Sequence, residues 1–239
     1  MWIWIAASLA AYFVKGLCGF ANTLVFTSIL GFGADNVNIS PVELLLSYPT
    51  NIILTIKNRG RLNPRVFIPL SLLVLCGSIP GAFLLKNMDA HYLKIVFGFV
   101  VVISGIDMYL RERNALHAKE SRFLPGIIGL LSGVLCGMFG VGALLAAYVG
   151  RVTSNSDEFK ANINAVFTVE NTFRIILYAA TGILSKESIR LALILAPFMI
   201  TGLLAGMKIC KRIDERKIRL LIIFLLIVSG AVQIVNNIA

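Results

Sequence analysis

The chain has 239 residues, of which 58% are hydrophobic and 14% are charged, with a mean hydropathy of +0.86. Soluble domains usually carry about 25% charged and 45–50% apolar residues, so this composition excludes a secreted disulfide scaffold, a nucleic-acid-binding module and most soluble enzymes. The formal charge of +10 therefore indicates basic loops beside an anionic leaflet rather than a nucleic-acid partner. The sequence predicts an all-α polytopic membrane protein in contact with the lipid bilayer.

Neither the N-terminal stretch nor the cysteines point to processing or metal binding. The first five residues lack a basic n-region and lead straight into further apolar sequence, so we predict no cleaved signal peptide. The four cysteines, Cys18, Cys76, Cys136 and Cys210, show neither CxxC nor Cys/His spacing. We therefore predict no metal site and no cofactor.

The apolar stretches fall into two classes by length. A membrane crossing needs roughly 20 apolar residues, and six stretches meet this requirement: about 41–57, 66–86, 92–110, 161–181, 187–208 and 217–237. Two others, Trp2–Gly33 and Phe123–Val152, are too long for one straight crossing. Each is interrupted by glycines near its middle, the first at Gly16–Asn22 and the second at Cys136–Gly142. We predict a Gly-broken helical hairpin at each.

The chain is an internal duplication. The pair Gly77 and Gly81 aligns without gaps to Gly202 and Gly206, and the same offset relates further residues on either side. Leu17-Cys18-Gly19 matches Leu135-Cys136-Gly137, which makes Cys18 and Cys136 equivalent. We predict one membrane domain of two repeats, 1–114 and 115–239, joined through the linker Arg111–Arg122.

The basic loop residues indicate how the repeats are oriented. If each long stretch returns to its starting side, sixteen basic loop residues collect on one side and four on the other. Such a division obeys the positive-inside rule, and three crossings per half then make the repeats inverted. Both termini are predicted outside and the basic loops in the cytoplasm. Two thin crossings in place of each hairpin would give the same charge distribution.

Paired broken helices are the strongest functional signal. In inverted repeats they indicate a transporter site near the bilayer midplane, and helix N-termini exposed there favour an anion. Close helix packing is the alternative explanation for such glycines, and it is the one we prefer for Gly77, Gly81, Gly202 and Gly206.

Arg174 and Glu170 are the ionisable residues placed deepest in a predicted span. A charged group at this depth costs about 2.5–3.5 kcal/mol or more, so it is a functional candidate by default. The two can pair at i,i+4, either as a structural lock or with Arg174 holding an oxyanion and Glu170 exchanging a proton. The equivalent positions in the first half are Ser47 and Asn51.

Other polar residues near the breaks are weaker candidates. Lys15 either snorkels to an interface or adds positive charge to the cavity. Asn22, Thr23, Asn171 and Thr172 can supply neutral donors to a substrate or satisfy exposed backbone. Cys18 and Cys136 are either substrate contacts or inert buried thiols, and Glu43 is predicted to be interfacial.

No enzymatic motif is present in the sequence. It contains no paired-histidine metal motif, no GxSxG and no P-loop, so we predict a protein that is not an enzyme.

The two breaks and the Gly182-x-Leu184 turn resemble the TauE/SafE family, the sulfite exporter group of membrane transporters. The resemblance covers the whole chain and implies an inner-membrane carrier of small sulfur-containing or carboxylate anions, such as sulfite, sulfonates or sulfoacetate, coupled to protons. The break residues that it carries over are Gly16, Gly19, Phe20, Gly137, Gly140 and Gly142.

The sequence therefore favours a secondary transporter whose partners are a small anion and protons. The predicted substrate-binding residues are Gly16, Cys18, Gly19, Phe20, Asn22, Thr23, Asn51, Cys136, Gly137, Gly140, Gly142, Asn171 and Arg174, with Glu170 as the proton-coupling candidate. A passive anion channel and a membrane scaffold are the alternatives.

Overall fold

The computed structural model describes residues 1–31, 34, 36–113, 124–153 and 155–210, with isolated residues between 220 and 235. All regular structure in these residues is helical. The α-helices are α1 (Trp2–Cys18), α2 (Asn22–Leu30), α3 (Asn36–Lys57), α4 (Pro64–Asn87), α5 (Ala90–Arg113), α6 (Leu124–Phe139), α7 (Ala143–Val152), α8 (Ser156–Thr181) and α9 (Lys186–Ile209). Most of the predicted span 217–237 and most of the predicted linker Arg111–Arg122 lie outside the described residues.

Three of the described helices are long and apolar enough to cross a membrane: Asn38–Lys57, Pro64–Asn87 and Lys186–Ile209. The apolar parts of α1, α5 and α6 are shorter, at Trp2–Cys18, His91–Ile106 and Gly129–Phe139. The predicted span 161–181 is not among the three. It lies within α8, which combines a charged first turn with Glu170 and Arg174 further along.

Several helix starts are fixed by polar caps in the sequence. The Asn63 side chain accepts a hydrogen bond from Arg65 N at 3.1 Å, directly before Pro64 at the first position of α4. Asn155 caps α8 in the same way, accepting from Glu158 N at 2.9 Å. Asparagine as N-cap and proline at the first helical position both favour helix initiation, so these starts follow from local chemistry.

Helices α1 and α6 both end at a glycine in the left-handed region. Gly19 follows α1 with φ +84°, and Gly140 follows α6 with φ +74°. Such a conformation strongly favours glycine. Ala21, which also has a positive φ of 70°, directly precedes α2, while α7 begins after Gly142.

Two helix pairs are built by the same small-residue contact. A Cβ added at Gly81 would meet Val134 O and lie 3.0 Å from Gly137 Cα, where α4 packs on α6. A Cβ added at Gly206 would meet Phe13 O and lie 3.0 Å from Gly16 Cα, where α9 packs on α1. These glycines serve close helix packing, as predicted.

The contacts correct the register of the duplication. Gly16 and Gly137 hold the same place opposite Gly206 and Gly81, and Gly19 and Gly140 are the matching left-handed residues. The predicted pairing of Leu17-Cys18-Gly19 with Leu135-Cys136-Gly137 is therefore wrong by one helical turn. The sequence alignment matched the identical Leu-Cys-Gly triplets, whereas the structure matches the glycines that have the same backbone conformation.

The corrected register separates the two cysteines. Cys18 corresponds to Phe139, and Cys136 corresponds to Lys15. The predicted equivalence of Cys18 and Cys136 is therefore wrong.

Side-chain contacts also give the relative directions of the helices. Tyr12 and Lys15 on α1 contact successive positions of α3, from Glu43 to Asn51, so α1 and α3 run parallel. Arg174 and Tyr178 on α8 contact Cys136 and Gly137 of α6, so this pair is parallel too. Helices α3 and α8 are antiparallel, since Tyr48 meets Thr172 and Thr55 meets Thr168.

We expect Gly81→Ala and Gly206→Ala each to destabilise the protein by about 1–3 kcal/mol, because the added methyl group meets backbone that cannot rotate away. Equilibrium unfolding in detergent measures this loss. Gly126→Ala is the matched control, because nothing lies within 4 Å of its added Cβ and alanine stabilises a helix by about 1 kcal/mol relative to glycine. Equal effects at all three positions would contradict the packing interpretation.

Candidate functional site

Four ionisable side chains are buried together between the two breaks. Lys15 on α1, Glu43 on α3, and Glu170 and Arg174 on α8 are each at most 1% exposed. Buried charges are tolerated only when they are paired and hydrogen-bonded. Two are formally positive and two negative, so the group is neutral as a whole.

Arg174 is the centre of this group. Its Nε lies 3.3 Å from Glu170 Oε1, which confirms the i,i+4 pair expected from the sequence. Nη2 donates to Asn171 Oδ1 at 3.1 Å and lies 3.9 Å from Glu43 Oε2, while Nη1 donates to Cys136 O. The guanidinium is thereby held against the end of α6 by groups from three helices.

A tyrosine on the same helix strengthens this contact with α6. The guanidinium lies over the ring of Tyr178, 5.7 Å from its centroid. Tyr178 Oη donates to Gly137 O at 2.7 Å and lies 3.1 Å from Ser40 Oγ. Arg174 and Tyr178 together therefore bind two consecutive carbonyls in the last turn of α6. The first of these, Cys136 O, also accepts from Gly140 N at 2.8 Å.

Glu43 is fully buried, so its predicted interfacial position is wrong. Helix α3 begins at Asn36 rather than near residue 41, which places Glu43 two turns inside the helix. Its Oε1 accepts hydrogen bonds from Asn22 Nδ2 at 2.6 Å and Thr23 Oγ1 at 2.7 Å. Both donors belong to the first turn of α2, so Glu43 joins the first break to Arg174.

Lys15 does not snorkel to an interface. Its Nζ donates to Asn51 Oδ1 at 2.5 Å and to Ser47 Oγ at 3.2 Å. The ammonium also lies 6.0 Å from the centroid of the Tyr12 ring. Ser47 in turn accepts from Asn22 Nδ2 at 3.3 Å, so Lys15 is linked to the first break through one serine.

The oxygen of Glu170 that faces Arg174 is also contacted from α4. Ser78 Oγ lies 3.3 Å from Glu170 Oε1 and 3.3 Å from Gly133 O on α6, and its single hydroxyl hydrogen is available to either acceptor. Glu170 Oε2, Glu43 Oε2 and Asn171 Nδ2 are buried and make no hydrogen bond within the described part of the chain. Unsatisfied buried polar atoms are uncommon and point to a functional constraint.

One small cavity lies where the two breaks meet. Its volume is about 20 Å³, room for roughly one water molecule. The predicted residues that line it come from both breaks and from α8: Phe20, Asn22, Thr23, Gly140, Gly142, Asn171 and Arg174, with Ala21, Leu24, Ser47, Val141 and Phe167 beside them.

The remaining predicted site residues do not line this cavity. Gly16 and Gly137 are helix-packing residues, and Gly19 lies against the Lys160 side chain. Cys18 packs in an apolar cluster. Asn51 binds Lys15, and the Cys136 thiol donates to Val141 O while its carbonyl accepts from Arg174.

Two contacts that correspond in the predicted duplication have their cation on different helices. In the first half, Lys15 on α1 reaches Asn51 on α3. In the second half, Arg174 on α8 reaches the backbone of Cys136 on α6. Position 136 matches position 15 in the corrected register, and position 174 matches position 51 in the predicted duplication. The charged residue of this contact is therefore on the first helix in one half, at Lys15, and on the partner helix in the other half, at Arg174.

Gly140 separates the two charged groups nearest the second break. An added Cβ would lie 2.8 Å from Arg174 Nη1 and 2.9 Å from Glu43 Oε2. We expect Gly140→Ala to cost more unfolding free energy than Gly19→Ala, which shares the positive φ and hence a backbone strain of about 1–2 kcal/mol. At Gly19 the added methyl group meets only the long Lys160 side chain, which can move aside.

Denaturant unfolding of the two variants in detergent tests this expectation. Equal losses of stability would mean that the glycine at residue 140 serves only the backbone turn and not the charged pair.

Comparison with known proteins identifies the family. The sequence model described as "Sulfite exporter TauE/SafE" matches residues 4–232, nearly the whole chain. No curated protein and no solved structure gives a significant match. Together with the apolar helices, the family match indicates a membrane protein involved in anion or sulfite transport, and it confirms the resemblance to this family found in the sequence. The chain belongs to the TauE/SafE sulfite exporter family.

Proposed function

We propose that the protein is a secondary transporter that binds a small sulfur-containing or carboxylate anion, such as sulfite, a sulfonate or sulfoacetate, between the two helix breaks. The observation that carries this proposal is the buried cavity, which residues from both breaks line together with Arg174. Arg174 supplies positive charge and planar donors suited to an oxyanion. Asn22, Thr23 and Asn171 supply neutral polar groups around it.

The start of α2 adds to the attraction for an anion. Its first turn lines the cavity, and no side chain caps its N-terminus. The residues directly before α7 line the same cavity, and that helix also lacks a side-chain cap. Free N–H groups at helix N-termini favour negative charge, so both breaks contribute partial positive charge to one place.

Helix directions support two inverted repeats, 1–114 and 115–239, with a returning hairpin in each. Because α1 runs parallel to α3, and α6 parallel to α8, the chain reverses direction at α2 and again at α7. The antiparallel contact of α3 with α8 gives the two halves opposite orientations. This arrangement agrees with the uneven distribution of basic loop residues, which assigns the basic side to the cytoplasm of a multi-pass inner-membrane protein.

Charge balance supports coupling to protons. The buried ionisable group of Lys15, Glu43, Glu170 and Arg174 is formally neutral, so a bound monoanion leaves one net negative charge among buried side chains. One proton taken up by a buried carboxylate restores neutrality. Glu170, the ion-pair partner of Arg174, is the sequence-predicted candidate for this role.

Anion-dependent thermal stabilisation of the purified protein tests the binding proposal. We expect one class among sulfite, thiosulfate, sulfonates and small carboxylates to stabilise the folded state, by about 2.7 kcal/mol at 100 times its dissociation constant. Arg174→Lys should remove most of this effect, since an ammonium lacks the planar fork of the guanidinium. Arg190→Lys, the same change at an exposed position, should leave it intact. Failure of every anion to stabilise the protein would refute anion binding.

Flux into proteoliposomes separates the carrier from the alternatives. A proton-coupled carrier accumulates the anion against its gradient when a proton gradient is imposed, and the flux saturates. A passive channel dissipates gradients only, and a scaffold gives no flux. Glu170→Gln tests the predicted proton carrier, with the exposed Glu187→Gln as control. If uptake stays equally pH-dependent in Glu170→Gln, the proton is carried elsewhere.

A further inference from the structure

We infer that the Glu43 carboxylate occupies the donors that receive the substrate anion, and that the anion enters by displacing Glu43 as this residue takes up a proton. This inference rests on the anion transport proposed above and names the residue with which the anion competes. In this conformation, the Glu43 carboxylate takes the place of the substrate anion.

The first support is the identity of the donors. Glu43 Oε1 accepts from Asn22 Nδ2 at 2.6 Å and from Thr23 Oγ1 at 2.7 Å. Both residues line the cavity. Hydrogen bonds to an ionised acceptor are roughly twice as strong as those between neutral groups. An oxyanion in the cavity therefore meets donors that a carboxylate already holds.

The second support is the position of the other carboxylate oxygen. Glu43 Oε2 lies 3.9 Å from Arg174 Nη2 and makes no hydrogen bond to any described residue. The carboxylate thus bridges the first turn of α2 and the guanidinium beside the second break. A substrate oxyanion bound between the breaks has to make the same bridge.

The third support is the size of the cavity. Its volume of about 20 Å³ holds roughly one water, which is too small for an oxyanion with three oxygens. A group must move before such an anion enters. Displacement of Glu43 frees donors and space at once, whereas Glu170 is bound by Ser78 and Arg174 away from the first break.

Charge balance sets the fate of the displaced carboxylate. The titratable groups around Glu43 are Tyr12 and Lys15 from α1, Cys136 from α6, and Glu170 and Arg174 from α8. With the two carboxylates ionised, the charges in this group sum to zero. A proton from solvent added to a Glu43 oxygen offsets a bound monoanion, with no other bond made or broken.

Binding of methanesulfonate to the purified protein tests the inference, because this monoanion keeps its charge over the working pH range. We expect wild-type affinity to weaken as the pH is raised, because the ionised Glu43 carboxylate competes with the anion. Glu43→Gln should bind at least about tenfold tighter at the higher pH, since the competing charge is gone, with little pH dependence. Glu187→Gln, at an exposed carboxylate, is the control and should keep the wild-type pH dependence.

Infrared difference spectroscopy provides a second readout, on the wild type and on Glu→Asp variants that keep both the Glu43 and the Glu170 carboxyl groups. Methanesulfonate should produce a protonated-carboxyl band in the wild type. Glu43→Asp should shift the frequency of that band, and Glu170→Asp should leave it unchanged. A band that shifts only with Glu170→Asp, or that never forms, overturns the inference.

The outcomes separate this inference from the function on which it rests. If wild type and Glu43→Gln bind methanesulfonate with the same affinity and pH dependence, the competing role of Glu43 is wrong and anion binding stands. If neither protein binds methanesulfonate, sulfite or thiosulfate, both proposals fail. Tighter, pH-independent binding by Glu43→Gln supports both.

Discussion

Mutual neutralisation of four buried charges is the constraint on which the rest of the structure depends. Removing one partner of a buried ion pair costs about 3–5 kcal/mol, because the other charge is left without compensation. The four charged residues come from three different helices. Arg174 on α8 pairs with Glu43 on α3 and with Glu170, and Lys15 on α1 binds Asn51 and Ser47 on α3, so the contacts fix how α1, α3 and α8 meet. Polar groups of α2, α4 and α6 complete the network.

The network lies beside a small cavity because the neighbouring helices end there. Gly19 and Gly140 end α1 and α6 in a conformation that side chains other than glycine rarely adopt. The chain then starts α2 and α7 beside the cavity, where their first backbone N–H groups lack helical partners. Glycine thus has two separate uses in this chain, since Gly16, Gly81, Gly137 and Gly206 bring helix backbones together.

Much of this arrangement can be predicted from the sequence, because its causes are local. Composition indicates the membrane, glycine-rich interruptions indicate the breaks, and the i,i+4 spacing of Glu170 and Arg174 predicts their ion pair. Long-range contacts have no local signature. Glu43 could be recognised only by placing the start of α3 correctly, and its partners Asn22 and Thr23 are about twenty residues away. The register of the duplication failed for a related reason, since identical letters need not occupy equivalent backbone positions.

The different positions of Lys15 and Arg174 in the two predicted halves have a consequence for the proposed transport cycle. If two inverted halves were chemically identical, swapping their conformations would turn an outward-open carrier into an inward-open one of equal energy. Here Lys15, which lies on α1, binds the neutral amide of Asn51. Arg174, which lies on α8, binds a backbone carbonyl and pairs with the carboxylates of Glu43 and Glu170. The swapped conformation places an ammonium where a guanidinium stood. In the proposed inverted-repeat carrier, the two orientations of the empty protein would therefore differ in energy, and one of them would be the preferred resting state.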